Sequence, residues 1–167
     1  MYKVKFLTNL VTEQEYNKSN QWKTVYPLIV DVKLVGPIII PAGFIFDKNS
    51  VPAGLRWLFP VSGYKSDYAA AVHDWLYTSE LFPRVVCDEI FYDAMIYSGV
   101  PKWRAWSKYK AVRVFGGMVW KKHTKESVDE ARSLLDIPDI KETLIQYNFN
   151  EDDYKLWNLS FYSTTLN

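Results

Sequence analysis

The amino-terminal third of the chain alternates with a period of two. Tyr2, Val4 and Phe6 are separated by Lys3 and Lys5, which puts rings and a branched side chain on one face of a short strand and ammonium groups on the other. Residues 22–35 are rich in Val, Ile and Tyr and read as further strand. Pro27 marks an edge or a break there, because proline has no N–H to give to a ladder. Gly36-Pro37 turns the chain, Ile38 to Ile40 form a short apolar run, and Pro41-Ala42-Gly43 turns it again before Phe44-Ile45-Phe46-Asp47. This pattern predicts a small antiparallel sheet, with the polar stretch Thr12 to Gln21 as its flexible loop.

From about residue 50 the period lengthens to that of a helix. Asn49 or Ser50 is placed to cap a helical turn opening at Val51-Pro52, which would carry Leu55, Trp57, Leu58 and Phe59 inward. The spacing then predicts helices over Ser66 to Thr78 and over Pro83 to Ser98, the second stopped by Gly99 and Pro101. A third runs from Pro101 to Lys122, where Gly116-Gly117 lowers helix propensity and permits close packing against another backbone. Further helical candidates are Lys125 to Leu135, Asp139 to Gln146 and Asn150 to Leu159. The expected architecture is a single α+β domain, strand-rich over residues 1–48, helical over 50–122, with a helical tail over 123–167.

Composition narrows the function classes. The 167 residues are enough to bury a core without metal or disulfide staples. A net charge of +1 removes bulk charge as a means of holding nucleic acid or anionic membrane, and leaves only local basic patches. Nucleic acid is therefore not expected as the main partner. One cysteine, Cys87, excludes an internal disulfide and fits a reducing compartment. Two histidines and one cysteine cannot supply four soft zinc ligands. Neither the start of the chain nor any later stretch reads as a signal peptide or a transmembrane segment. Seven Trp, twelve Tyr and nine Phe leave aromatic rings to face a partner or ligand.

The candidate chemistry lies in His73-Asp74-Trp75-Leu76-Tyr77. At about 100° per residue His73 falls beside the stripe Ala69, Val72 and Leu76, so the imidazole faces the protein with Asp74 at its margin, and Tyr77 sits one turn above His73. On the next helix Asp88 shares a face with Phe91, Tyr92 and Met95, a costly place for a carboxylate without donors. The short connection makes the two helices antiparallel and sets His73 and Asp88 at similar height, so His73 is the simplest partner for Asp88. Such a carboxylate fixes the imidazole tautomer and leaves the other nitrogen as a base. Asp74 and Asp47 are hard oxygen donors suited to a divalent cation, calcium first, with Ser50 beside them and Tyr77 behind. The bland alternatives are a satisfied buried His–Asp pair and, for Asp47 and Ser50, turn and cap chemistry. Trp103, Trp106 and Tyr109, spaced by three and interleaved with Lys102, Arg104, Lys108, Lys110 and Arg113, read either as a packed stripe or as a partner contact. His123, among Lys121, Lys122 and Lys125, reads as a solvated helix-end residue, and Cys87 as a small core residue.

The stretches Ile40-Pro41-Ala42-Gly43-Phe44-Ile45-Phe46-Asp47-Lys48-Asn49-Ser50-Val51-Pro52, Gly63, Ala69 to Tyr77, Asp88, Phe91 and Gly99-Val100-Pro101 together resemble a bacteriophage-encoded domain family of unknown function, over about residues 38–117. The resemblance implies a phage or prophage origin, in the host cytoplasm or the virion, and no particular activity. A looser likeness is local. His-Asp-x-x-Tyr followed by an Asp on the next antiparallel helix is similar to the core of the secreted calcium-dependent phospholipases and of parvovirus capsid lipase domains. It implies His73 as the base that activates water, Asp74 as a calcium ligand, Tyr77 behind them and Asp88 orienting His73. The glycine-rich calcium loop and the disulfides of those enzymes have no counterpart in this sequence. Two functions are expected from these residues. One is a cation-dependent hydrolase of an ester or amide of the host envelope. The other is a non-catalytic virion, tail or neck component that contacts other phage structural proteins.

Overall fold

The structure is a computed structural model and describes residues 2–14, 21–47, 64–135 and 145–149. Its elements run β1 (Val4–Phe6), β2 (Thr12–Gln14), β3 (Gln21–Thr24), β4 (Leu28–Val32), β5 (Gly36–Ile40), β6 (Ile45–Asp47), α1 (Tyr64–Ser79), α2 (Arg84–Tyr97), α3 (Lys102–Trp120) and α4 (Lys125–Ser133). This is the expected α+β order, strands first and helices after. The strands form two three-stranded antiparallel sheets rather than one, ordered β1-β4-β5 and β2-β3-β6. Pro27 falls between β3 and β4, where the chain leaves one sheet for the other. Thr12 to Gln14, expected in a loop, pair with Thr24, Lys23 and Trp22. Glu13 faces Lys23 across that pair with a 2.6 Å ion pair, and such cross-strand pairing holds a polar stretch in a ladder.

In the first sheet β4 and β5 form a hairpin in which Leu28 opposes Ile40 and Val32 opposes Gly36. Gly36 takes φ +98°, a conformation that side chains disfavour. Both faces of this hairpin are covered, which explains why its strands are continuous apolar runs. Leu28, Val30, Val32, Ile38 and Ile40 meet Ala69, Val72, Trp75 and Leu76 of α1 and Ile90, Ala94 and Met95 of α2 in the main core. Ile29 and Ile39 point the other way and are covered by Leu7, Leu135, Tyr147 and Phe149. The described part of the tail thus closes the back of the sheet.

The two sheets are tied through Thr24, a buried hydroxyl on β3. Its Oγ1 donates to the Pro41 carbonyl at 2.6 Å and accepts from the Phe44 amide at 3.0 Å, fixing the turn that leads from β5 to β6. Phe44 then stacks edge-on against the fully buried Trp75 of α1 at 5.1 Å between ring centroids. Helix α1 ends where Glu80 adopts φ +47°. Carbonyls at that end are bound from α4, with Arg132 donating to Ser79 at 2.8 Å and to Glu80 at 3.1 Å. Thr124 and Ser127 form a reciprocal cap that starts α4. Among the described residues no helix is long and apolar enough to cross a membrane.

Replacing Thr24 by Val keeps the shape of the side chain and removes both bonds, leaving a buried amide and a buried carbonyl without their partner. A loss of about 2 kcal/mol in unfolding free energy is expected, measured by urea titration of the full chain.

Candidate functional site

The site forms where α1, α2 and α3 meet. Helix α1 carries His73 and Tyr77 on its inward face because Ala69, Val72 and Leu76 drive that face into the core, and both rings are buried. Helix α2 carries Asp88 beside Phe91 and Met95, with no exposed surface. The Asp88 carboxylate is surrounded by donors. At Oδ1 it accepts from the Tyr77 hydroxyl at 2.5 Å and meets His73 Nε2 at 3.2 Å. At Oδ2 it accepts from Arg113 Nη1 of α3 at 2.8 Å, and Arg84 Nη1, one turn earlier on α2, lies at 3.5 Å.

The electrostatics follow from that coordination. Burial alone would raise the Asp88 carboxyl; hydrogen bonds from His73, Tyr77 and Arg113 outweigh it and hold the group below the usual carboxylate range. An ionised carboxylate only accepts, so Nε2 of His73 carries the proton of that bond. Burial pushes the imidazole below its ordinary value more strongly than Asp88 pulls it up, so His73 is neutral at pH 7 and Nδ1 holds a bare lone pair. The ring lies between Tyr77 and Phe91, at 4.1 and 4.4 Å between centroids, and those rings are part of what buries it. Tyr77 is shifted upward by burial and by the neighbouring Asp88 charge, and stays a donor. Arg113 is raised by the same carboxylate.

Nδ1 looks toward the edge of the site. Its nearest acid is Asp74, with Oδ1 at 4.0 Å; the two side chains are 11% and 28% exposed. The His73–Asp88 pairing and the marginal place of Asp74 follow the helical-wheel expectation. Tyr77, one turn above His73, makes its bond across the helix pair to the same Asp88 oxygen that His73 meets. Asp47 closes β6, its backbone paired with Gln21 of β3, while its side chain and the whole of Ser50 lie outside the described residues, as does the turn expected over 51–59. Among the described residues no group of three or more His, Cys, Asp or Glu side chains converges as a metal cage would require.

The remaining candidates are scattered. Trp103 and Trp106 are exposed and not packed, whereas Tyr109 is half-buried and meets Tyr92 edge-on at 5.7 Å. His123, expected to be solvated, is half-buried with Nδ1 3.1 Å from Glu80 Oε1, pinning the end of α3 to the end of α1. Cys87 is a core residue whose thiol is pushed up to about 12 by burial and by the Asp88 charge, so it is no nucleophile at neutral pH.

Two participants were missed from sequence. Arg84 precedes Asp88 by four residues, and that helical spacing was a usable signal. Arg113 is 25 residues away and carries no local mark; only the tertiary packing of α3 brings it in. The Gly116-Gly117 pair now has a cause. A Cβ on Gly116 would collide with the Tyr77 hydroxyl and come within 3.4 Å of Arg84 Nη1, so α3 accepts two side chains at this point, not another backbone. Arg84 uses the space to donate to the Val112 and Arg113 carbonyls, at 3.2 Å each.

Residues 22–112 match the protein family described as a protein of unknown function, DUF1353. No curated protein and no solved structure matches the chain.

Two outcomes are expected. Gly116→Ala would stabilise an ordinary exposed helix by about 1 kcal/mol. Here the added methyl displaces Tyr77, and a net loss of about 2 kcal/mol in chemical denaturation is expected from overpacking. His73 and Asp88, both lowered in the folded state, each make stability depend on pH. The unfolded chain then binds the extra proton on acidification, so stability is full above the ordinary His value of 6.5 and falls as the pH drops below it, with Asp88 adding a further loss below its own ordinary value of 3.8. In His73→Gln the amide can keep a donor toward Asp88 without titrating, and urea midpoints between pH 7 and pH 5 should flatten.

Proposed function

The chain belongs to the DUF1353 family, whose description assigns no activity, and we propose from the site itself that it is a bacteriophage hydrolase in which His73 activates water toward an ester or amide of the host envelope. The observation that carries this reading is an imidazole with Nε2 3.2 Å from a buried carboxylate and Nδ1 on the side of the partly exposed Asp74. In this arrangement Nδ1 takes a proton from water as the water oxygen bonds to the carbonyl carbon. The imidazolium so formed is stabilised by Asp88 through Nε2–H. When the tetrahedral intermediate collapses, the bond to the leaving oxygen or nitrogen breaks and that atom takes the proton back from Nδ1. Tyr77 and Arg113 keep Asp88 ionised, so the carboxylate orients the base and does not compete for the proton.

Asp74 is the described carboxylate next to the working nitrogen and the proposed anchor for a divalent cation, calcium first. The described residues do not form a complete cage for one, and every step above runs through the chain's own groups. A second reading is favoured by the bonding of Asp88, which joins three helices whether or not Nδ1 meets a substrate. It makes the chain a non-catalytic virion or tail component in which the cluster is a brace.

The two separate on one pair of proteins. The wild-type chain is expected to hydrolyse phospholipid or short-chain ester substrates, and His73→Gln, which retains a donor for Asp88 and has nothing in place of Nδ1, should lose at least about a hundredfold in rate with its melting temperature little changed. Turnover that survives a chelator removes the cation and leaves the base. Absence of turnover on esters and amides with calcium present, or an unchanged rate in His73→Gln, discards the hydrolase and leaves the brace.

A further inference from the structure

Helix α3 carries two opposite faces. Its inner side holds Ala105, Ala111 and Gly116 against the body and sends Arg113 to Asp88. Its outer side is apolar and uncovered: Trp103 is 66% exposed, Trp106 55%, Val114 69% and Met118 60%. These positions, with Lys110, recur every three or four residues and so lie along one line of the helix. Every charged residue of α3, namely Lys102, Arg104, Lys108, Lys110 and Arg113, is basic. Exposed Lys121 and Lys122 extend the charge past the helix end. Arg104 sits over the Trp103 ring at 5.0 Å and Lys110 over Trp106 at 5.4 Å. The chain as a whole carries +1, so this basic character is local to the helix.

We propose that this outer face docks the protein on an anionic lipid surface, with α3 lying in the plane of the headgroups. Charge selects an anionic partner, and the apolar side chains select which kind. Phosphates of a nucleic acid would answer the lysines and leave Val114 and Met118 in water. A protein partner would need an acidic groove shaped to one convex helix about 28 Å long. A bilayer interface takes such a face without a shaped groove. Trp103 and Trp106 sit at headgroup level, Val114 and Met118 reach the acyl boundary, and Lys102, Arg104 and Lys110 meet lipid phosphates, each basic group contributing about 1 kcal/mol near a charged surface. The proposal stands apart from the hydrolase reading, because it uses no group that touches His73 Nδ1.

The test is cosedimentation of the full chain with vesicles of phosphatidylglycerol and phosphatidylcholine in equal parts, against vesicles of phosphatidylcholine alone. Binding is expected to the first and not the second, weakening as salt rises. Trp103→Ala/Trp106→Ala and Lys102→Glu/Lys110→Glu, all at exposed positions, should each lower the partition coefficient at least about tenfold with circular dichroism unchanged. His73→Gln should bind like wild type. No sedimentation of the folded chain with the anionic vesicles overturns the proposal, as does binding that both double variants retain. A homodimer or protein complex that these variants abolish, in a chain that ignores vesicles, assigns the face to protein contact instead.

Discussion

A carboxylate without solvent contact is the constraint around which the helical half is organised. Left alone in the core, Asp88 would take up a proton or force the helices apart, because an unpaired buried charge costs several kcal/mol. It remains charged because donors arrive from its own helix and from two others: His73 and Tyr77 of α1, Arg84 of α2 and Arg113 of α3. His73 and Tyr77 are one turn apart on α1, and Arg84 and Asp88 one turn apart on α2. A slide of either helix by one residue, about 1.5 Å along the axis, would break contacts of 2.5 and 3.2 Å together. Buried ion pairs add little net stability against an apolar substitute, so the gain here is register: one arrangement of three helices satisfies the charge.

Sequence features that look unrelated follow from that requirement. Glycines in the middle of a helix weaken it, yet Gly116 lies where the Tyr77 hydroxyl must pass to reach Asp88, and Arg84 occupies the space beside it to bind α3 carbonyls. The local cost of about 1 kcal/mol in propensity is offset by closing the donor shell around the charge. The neutrality of His73 has the same origin. Its site is chosen for contact with Asp88, and that contact lies among Phe91 and Tyr77 rings that exclude water. The conditions that make a good brace also leave Nδ1 deprotonated at neutral pH, which is why one cluster supports both a structural and a catalytic reading.

What could be read from sequence was what depends on local periodicity. The four described helices, the apolar run Ile38 to Ile40 and the facing of His73 and Asp88 follow from spacing and loop length alone. The partition into two sheets did not, because it rests on Thr24 bonding a turn about twenty residues away and on Glu13 finding Lys23, neither of which leaves a periodic trace. Arg113 was hidden for the same reason. It reads as one more base on a basic helix until packing shows that its neighbours Lys110 and Val114 turn outward. The spacing of Trp103, Trp106 and Tyr109 reads either as a packed stripe or as a partner contact, but at about 100° per residue a strict interval of three drifts around the helix, so Tyr109 reaches Tyr92 while the tryptophans face away.

The extent of the family match adds a boundary to this picture. Residues 22–112 contain His73, Tyr77, Arg84 and Asp88 and stop one residue before Arg113. The hairpin of α1 and α2 therefore holds three of the four groups around the carboxylate within the matched span, and Tyr77, His73 and Arg84 already satisfy both of its oxygens to some degree. Arg113 is the shortest contact at Oδ2, and it comes from the half of α3 that also presents Val114 and Met118 to the outside. That segment thus completes the charge balance on its inner side and leaves an apolar, basic surface on its outer side. Beyond it, Leu135, Tyr147 and Phe149 close the back of the first sheet over Ile29 and Ile39. The described residues that follow the match are accordingly not appendages: Arg113 completes the coordination of the buried charge, and Leu135, Tyr147 and Phe149 cover apolar strand surface that would otherwise face water.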